Sequence, residues 1–255
     1  MTTPDARNSR WTYRYRPAPD ARIRLVCLPH AGGSAPFFVP VAKALSPDVD
    51  VLAVQYPGRL ERRGEPLIES LTELAARVVD ELVPWADRPL ALFGHSLGSL
   101  LGFEVARLLT EKGHPPVRLF ASGRRAPDIQ RAEFDYRLDD QGLLRAMAEL
   151  GGTDPRVLAD EELMRMALPV IRADYRAVET YRYEAGPPLG CPVTVLTGRD
   201  DPKVSAEDAA AWRAHTSAAF EVITLPGGHF YLVDQQEKVT DLIADRLAAL
   251  TPTLH

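Results

Sequence analysis

The chain has 255 residues, of which 45% are hydrophobic and 25% are charged, and its formal net charge is −5. This is ordinary globular composition, and a chain of this length can bury enough surface to fold without disulfides. The acidic balance argues against nucleic acid as a main partner, because no strong basic field is present. The start of the chain lacks the pattern of a signal peptide, and no apolar run approaches the ~20 residues of a membrane span. We therefore expect a cytoplasmic protein with no membrane contact, in which Cys27 and Cys191 are buried thiols rather than metal ligands.

Short apolar runs alternate with helical patterns along most of the chain. The runs are nearly continuous in Val, Ile and Leu, which is typical of parallel strands covered on both faces. Helical spacing of apolar residues predicts helices between them, the first with a capping box from Ser70 to Glu73 and the second ending at Gly113. This alternation predicts an α/β fold with one open, mostly parallel sheet flanked by helices. The predicted strands are residues 23–28, 49–54, 90–93, 117–122, 192–197 and 220–225, and the predicted helices are residues 70–83, 97–112 and 237–250.

A stretch of about sixty residues, 124–183, contains no strand-like run. It predicts two helical segments instead, residues 139–150 and residues 160–183, the second bent at Pro169. Helices inserted at the mouth of a sheet commonly form a lid over a binding site. We therefore predict a single domain over residues 1–255 with a helical lid insertion over about residues 124–185.

The join between the third predicted strand and the following helix reads Gly94-His95-Ser96-Leu97-Gly98. It matches G-x-S-x-G, in which a serine sits on a sharp strand-to-helix turn and only small residues fit two places away on either side. The pattern alone is weak, since an inert glycine-rich turn would look the same. Because a strand precedes it and a helix follows it, we predict that Ser96 is a nucleophile.

A serine hydroxyl needs a neighbouring base, and in this arrangement the acid and then the histidine follow the serine along the chain. We predict His229 as the base, because it follows the last strand at the edge where the serine lies. His114, His215 and His255 are expected to be solvated. The acid that orients the imidazole should follow the penultimate strand, where Asp200 and Asp201 are both candidates that spacing cannot separate.

An oxyanion hole would complete such a site. One donor is expected to be the backbone N–H of Leu97, the residue after the nucleophile. The second should come from the loop after the first strand, "CLPHAGGSAPFF" over residues 27–38, whose glycines let the backbone approach a developing anion. The alternative is a phosphate-binding turn, but this loop contains neither a Lys-Ser/Thr pair nor a G-x-G-x-x-G pattern.

Five stretches in order resemble one family across nearly the whole chain. The sequence resembles the stand-alone type II thioesterases of polyketide and nonribosomal peptide assembly lines, which are α/β-hydrolases. The combination of the first, second and last stretches is far more specific than the serine motif alone. The five stretches are "LPHAGGSAPFF", "VQYPGRLERRGEP", "GHSLGS", "TGRDDPKVS" and "LPGGHFYL".

The resemblance implies roles for individual residues. The family's acid is the aspartate of Gly-x-x-Asp, which matches Asp201, with Ser96 as nucleophile and His229 as base. It likewise implies that the backbone N–H groups of Ala31 and Leu97 form the oxyanion hole. No position departs from the family's pattern.

The resemblance also implies an activity and a partner. A serine thioesterase of this kind would hydrolyse stalled or aberrant acyl groups from the phosphopantetheine arm of an acyl or peptidyl carrier protein, through an acyl-serine intermediate. It would need no metal and no cofactor of its own, and we expect a monomer. The alternatives are a carboxylesterase or lipase-like serine hydrolase that acts on small oxygen esters, and a non-catalytic module that binds carrier proteins.

Two weaker patterns accompany these motifs. The methionines Met147, Met164 and Met166 fall within the predicted insertion, where they would either shape an adaptable acyl pocket or simply pack the helices. Arginines cluster after two of the strands and would either dock an acidic carrier protein or form a solvated charged face. These arginines are Arg59, Arg62, Arg63, Arg124 and Arg125. For Arg59, which lies in "YPGRLERR", a structural role is an equal alternative.

Overall fold

Seven strands form one sheet in the computed structural model, which describes residues 10–152, 156 and 159–250. The strand order is β1-β3-β2-β4-β5-β6-β7, and every neighbouring pair is parallel except β1 with β3. The predicted mostly parallel sheet is thus confirmed, with strand ends shifted by no more than two residues. The strands are β1 Thr12–Tyr13, β2 Ile23–Leu28, β3 Val49–Val54, β4 Leu90–His95, β5 Arg118–Ser122, β6 Val193–Gly198 and β7 Phe220–Leu225.

The burial of each strand follows from its place in the sheet. Every residue of β2 to β6 is buried, because helices cover both faces, whereas the edge strand β7 is largely half-buried or exposed. The antiparallel edge strand β1 escaped prediction because two residues carry no readable pattern.

Helices pack on both faces of the sheet. One core cluster joins α2 and α3 to one face, and a second joins α1 and α8 to the other. The Ser70 hydroxyl accepts a hydrogen bond from the Glu73 N–H at the start of α2, which is one of the two bonds of the predicted capping box, and α3 ends before Gly113 at φ +82°. The helices are α1 Val39–Leu45, α2 Leu71–Leu82, α3 Leu97–Glu111, α4 Asp140–Leu150, α5 Glu161–Glu179, α6 Ala206–Ala210, α7 Tyr231–Asp234 and α8 Gln236–Ala248.

The insertion between β5 and β6 contains α4 and α5, as the sequence predicts. A small apolar cluster of its own holds these helices together, with Leu143 from α4 packed against Leu168 and Ile171 from α5. The second helix is shorter than predicted and ends at Glu179, because the chain turns there and buries Tyr181 in the main core. The assignment of residues 124–185 as a lid on a single domain stays a prediction.

No helix in the described part of the chain is long and apolar enough to cross a bilayer. Cys27 and Cys191 are free and buried, as expected, and burial raises the pKa of both thiols. A thiol whose pKa is raised is not activated for attack, so neither cysteine is a candidate nucleophile.

Candidate active site

Ser96 lies on a strained turn between β4 and α3. Its backbone has φ 54° and ψ −112°, and its N–H donates a hydrogen bond of 2.8 Å to the Ser122 carbonyl on the neighbouring strand. A Cβ on Gly94 would lie 1.9 Å from the Gly98 carbonyl oxygen, and a Cβ on Gly98 would lie 2.0 Å from the Leu28 carbonyl oxygen. Backbone atoms cannot give way to such contacts, so this turn requires glycine at both positions. The geometry is that of the nucleophile elbow predicted from the sequence.

His229 and Asp201 meet on the loops that follow β7 and β6. The Nδ1 of His229 lies 2.9 Å from one carboxylate oxygen of Asp201 and 3.1 Å from the other. The second of these oxygens, Oδ1, also accepts a hydrogen bond of 2.9 Å from the Lys203 N–H. Asp200 is exposed and forms no hydrogen bond or ion pair with the imidazole. Of the two candidate acids, the structure therefore brings only Asp201 to His229, as the family resemblance implies.

The other candidate histidines lie elsewhere. His114 is half-buried just beyond the end of α3, and His255 lies outside the described residues. The expectation that His215 is solvated is wrong, because its ring is buried against Phe103 and its Nε2 lies 2.8 Å from an Asp128 carboxylate oxygen. These contacts give His215 a structural role away from Ser96.

Two backbone N–H groups beside Ser96 are candidates for the oxyanion hole. In the described part of the chain, the N–H groups of Ala31 and Leu97 donate to no protein acceptor, and both residues line the same cavity as Ser96. Their neighbours in the loop are already engaged. The Gly32 N–H donates to an Asp174 carboxylate oxygen at 2.7 Å, and the Gly33 N–H donates to a carbonyl within the loop. Ala31 and Leu97 are the two residues that the resemblance implies, and their role as oxyanion donors stays a prediction.

A cavity of about 260 Å³ separates these groups from the inserted helices. Ser96 and His229 line one side of it, and α4 and α5 close the other. Met147 and Met164 line the cavity, while Met166 is 60% exposed on the outside of α5. The pocket interpretation therefore fits two of the three methionines, whose flexible side chains suit an apolar wall of variable shape.

One end of the cavity carries charged side chains that the sequence did not assign to the site. Burial raises the pKa of Glu179 to about 7. Burial also opposes ionisation of Glu133, but its hydrogen bond with Arg125 and the charge of Lys203 outweigh this and lower its pKa to about 2. Burial lowers the pKa of Arg124 to about 10, and among the described residues its guanidinium forms no ion pair and no hydrogen bond. A free guanidinium at the wall gives the cavity a donor for oxygen atoms of a ligand.

Two further histidines lie close to His229, and the ring of one of them packs against the His229 ring. Burial, with His229 and Arg59 nearby, lowers the pKa of His30 to about 4. Burial also lowers the pKa of His95 well below its usual range, and the ring of His95 lies 5.1 Å from that of His229. Both rings are therefore neutral near pH 7 and are not held as cations beside the base. His30 lies within "PHAGG" and His95 within "GHSLG", and the two rings are 5.9 Å apart, a contact that the sequence did not predict.

The arginine clusters do not form the docking face considered above. Arg59, Arg62 and Arg125 are buried, and each forms an ion pair with a nearby acidic side chain. Arg124 lines the cavity, and only Arg63 of the five is exposed. A carrier-docking patch and a solvated face are therefore both wrong for the three buried arginines, because their guanidinium groups form ion pairs within the protein.

The sheet order, the serine elbow and the loops that carry the histidine and aspartate define the class of protein, an α/β-hydrolase. Within that class, the model of the thioesterase domain family matches residues 23–247. The chain belongs to this thioesterase family. The predicted α/β-hydrolase fold and thioesterase class are confirmed.

Curated relatives place the chain more narrowly. It is 47% identical over 239 residues to thioesterase PikA5 of Streptomyces venezuelae, covering 93% of this chain and 85% of that protein. It is 46% identical over 247 residues to a probable cadicidin biosynthesis thioesterase of Streptomyces griseus, covering 97% of this chain and 68% of the relative.

Solved structures agree with this placement. The type II thioesterase BorB from the borrelidin biosynthetic cluster superposes with a TM-score of 0.88 at 49% identity, covering 93% of this chain and 97% of that one. YbtT, a type II thioesterase from the yersiniabactin pathway, superposes with a TM-score of 0.83 at 33% identity, covering 92% and 97%. The relatives of this chain thus include type II thioesterases of polyketide and nonribosomal peptide pathways.

Proposed function

We propose that this protein hydrolyses acyl groups from the phosphopantetheine arm of acyl or peptidyl carrier proteins. The observation that carries the proposal is that His229, paired with Asp201, lines the same cavity as Ser96. Membership of the thioesterase family favours a thioester over an oxygen ester as the bond that is cleaved. Relatives from assembly-line clusters favour a carrier protein as the partner.

The proposed first half of the reaction transfers the acyl group to Ser96. His229 Nε2 accepts the hydroxyl proton as Ser96 Oγ attacks the thioester carbonyl, and Asp201 stabilises the resulting imidazolium through Nδ1. The N–H groups of Ala31 and Leu97 stabilise the tetrahedral anion. The C–S bond then breaks, the thiol of the arm leaves with the proton from His229, and acyl-Ser96 remains.

The proposed second half reverses the roles with water. His229 accepts a proton from water as the water oxygen attacks the acyl-Ser96 carbonyl, and it returns that proton to Ser96 Oγ as the acid departs. Every proton is carried by His229, so the chemistry calls for no metal and no cofactor of the enzyme's own. The apolar wall formed by α4 and α5 would receive the acyl chain during both steps.

A matched set of substrates tests this proposal. One acyl group is presented as a thioester on a carrier protein, as a thioester on free pantetheine and as an oxygen ester of similar size. We expect kcat/KM to be at least about tenfold higher on the carrier-bound thioester than on the oxygen ester. A preference for the free oxygen ester would overturn the proposal and support the carboxylesterase alternative, while binding of the carrier without turnover would support the non-catalytic module.

A further inference from the structure

Asp174 connects the inserted helices to the proposed oxyanion hole. It lies in α5, its residue is only 2% exposed, and one of its carboxylate oxygens accepts a hydrogen bond of 2.7 Å from the Gly32 N–H. Gly32 follows Ala31, whose N–H is a proposed donor to the anion. Asp174, a side chain of the insertion, therefore holds the peptide next to the proposed donor Ala31. The reaction steps proposed above do not involve Asp174.

Arg59 contacts the same carboxylate oxygen of Asp174, Oδ2, as the Gly32 N–H does. Its guanidinium forms an ion pair with Asp174, and it is itself only 7% exposed. It also donates hydrogen bonds to the carbonyls of Pro57 at 2.7 Å and Gly33 at 3.4 Å, and it lies over the Tyr56 ring at 5.2 Å. Arg59 thus joins three segments: its own loop after β3, the loop after β2, and α5.

The backbone of the loop also packs closely against a side chain of α5. Gly32 has φ +73°, and a Cβ at this residue would lie 2.8 Å from the Cγ1 of Ile171, one turn before Asp174 on α5. The contact is closer than any larger residue would allow. Asp174 accepts the Gly32 N–H, whereas the adjacent Ala31 lines the cavity and its N–H donates to no acceptor in the described part of the chain. The orientation of this loop therefore depends on α5 lying against it.

We propose that Asp174, paired with Arg59, is a positioning residue that sets the Ala31 N–H for the transition-state anion. The proposal rests on the proposed function, in that Ala31 acts as an oxyanion donor. It makes a complete oxyanion hole dependent on the docking of α5, so the insertion acts on the chemical step as well as on acyl binding. Loss of an oxyanion donor costs roughly 10²–10³ in kcat elsewhere. A displaced donor should cost less, and we expect a loss of about 10–100-fold.

Two variants test this assignment. Asp174→Asn keeps an acceptor for the Gly32 N–H but leaves the Arg59 charge unpaired, which destabilises a buried site. The double variant Arg59→Met with Asp174→Leu removes both charges and the hydrogen bond together, and such neutral replacements commonly keep the fold. We expect the double variant to lower kcat by about 10–100-fold with KM changed by less than about threefold, and Asp174→Asn to lower kcat less.

A transition-state readout separates positioning from general loosening. A trifluoromethyl ketone analogue of the acyl thioester forms a tetrahedral anion with the serine, whereas the product acid does not. We expect affinity for the ketone to fall in step with kcat/KM, and affinity for the acid to stay within about threefold. Asp50→Asn is the matched control, since Asp50 is equally buried and paired with Arg14 and Arg24 at the far ends of the strands. It should lower the melting temperature without changing kcat.

The outcomes are distinct from those of the proposed function. Folded variants with unchanged kcat and ketone affinity would overturn the positioning role, as would equal losses in ketone and acid affinity. If the enzyme cleaved only oxygen esters, the proposed function would be refuted. The role of Asp174 could still be tested by comparing the variants with a p-nitrophenyl ester as substrate, because an oxyanion hole serves both kinds of acyl transfer.

Discussion

Replacing Asp201 with asparagine should leave the fold in place and nearly abolish turnover. Asp201 Oδ1 accepts the Lys203 N–H at 2.9 Å, and only an acceptor can occupy that position. The amide NH2 of the asparagine must then take the place of Oδ2, 2.9 Å from His229 Nδ1. An NH2 group donates, so it favours the tautomer with the proton on Nε2, which cannot accept a proton from Ser96.

The expected magnitude follows from this wrong tautomer. An equivalent change in an unrelated serine hydrolase lowers kcat by ~10⁴, which corresponds to about 5 kcal/mol of transition-state stabilisation. We expect a similar loss for Asp201→Asn with a thioester substrate. The assay measures single-turnover hydrolysis of an acyl-pantetheine thioester through the release of its thiol. Circular dichroism confirms that the variant is folded.

The chain supplies its own control for this experiment. Asp200 precedes Asp201, is exposed and forms no hydrogen bond or ion pair with His229, so Asp200→Asn should retain activity within about twofold. Retention of more than a hundredth of kcat in folded Asp201→Asn would refute the tautomer reasoning. Equal losses in both variants would show that the loop as a whole, and not the His229 contact, carries the effect.

Two further predictions concern stability. Gly98→Ala should lower the free energy of unfolding by about 3 kcal/mol or more, because its Cβ would lie 2.0 Å from a backbone carbonyl oxygen. Gly102→Ala on the same helix is the control, since its Cβ would meet only side chains, at 3.2 Å, and should change that free energy by no more than about 1 kcal/mol. Urea unfolding measures both variants, and equal stabilities would refute the steric explanation. Burial raises the pKa of Glu179 from 4.5 to about 7, so the folded state holds a proton that the unfolded chain releases, and this group lowers the free energy of unfolding as pH rises through that window. We expect this fall to be less than about 3 kcal/mol, because the carboxyl is partly exposed, and Glu179→Gln should remove it. If the difference in unfolding free energy between pH 5 and pH 8 is the same in the variant as in the wild type, the prediction is contradicted.

The sequence predicted most of the sheet because buried parallel strands carry a strong signal. The runs of Val, Ile and Leu from β2 to β7 mark strands with little ambiguity. The two-residue edge strand β1 has no such run, and the end of α5 is set by tertiary burial of Tyr181 rather than by a local stop signal. Local patterns therefore located the elements and failed where distant contacts decide their limits.

The candidate site divides in the same way. The serine elbow is a local steric device, so Gly94 and Gly98 reveal it in the sequence. The choice of Asp201 over Asp200 depends on which side chain faces His229, and spacing could not supply it; the family resemblance did. The contact between Arg59 and Asp174 was not predicted, because the two positions are 115 residues apart and no local pattern joins them.

The central claim is that Ser96 carries the acyl group as a covalent intermediate, and this intermediate can be detected directly. Wild-type protein mixed with an acyl-loaded carrier protein, quenched in acid within milliseconds and digested, should yield a peptide in which Ser96 bears the acyl mass. Ser96→Ala should show no adduct and lose on the order of 10⁶ in kcat. An adduct on another residue, or hydrolysis by folded Ser96→Ala at a tenth of the wild-type rate, would contradict it.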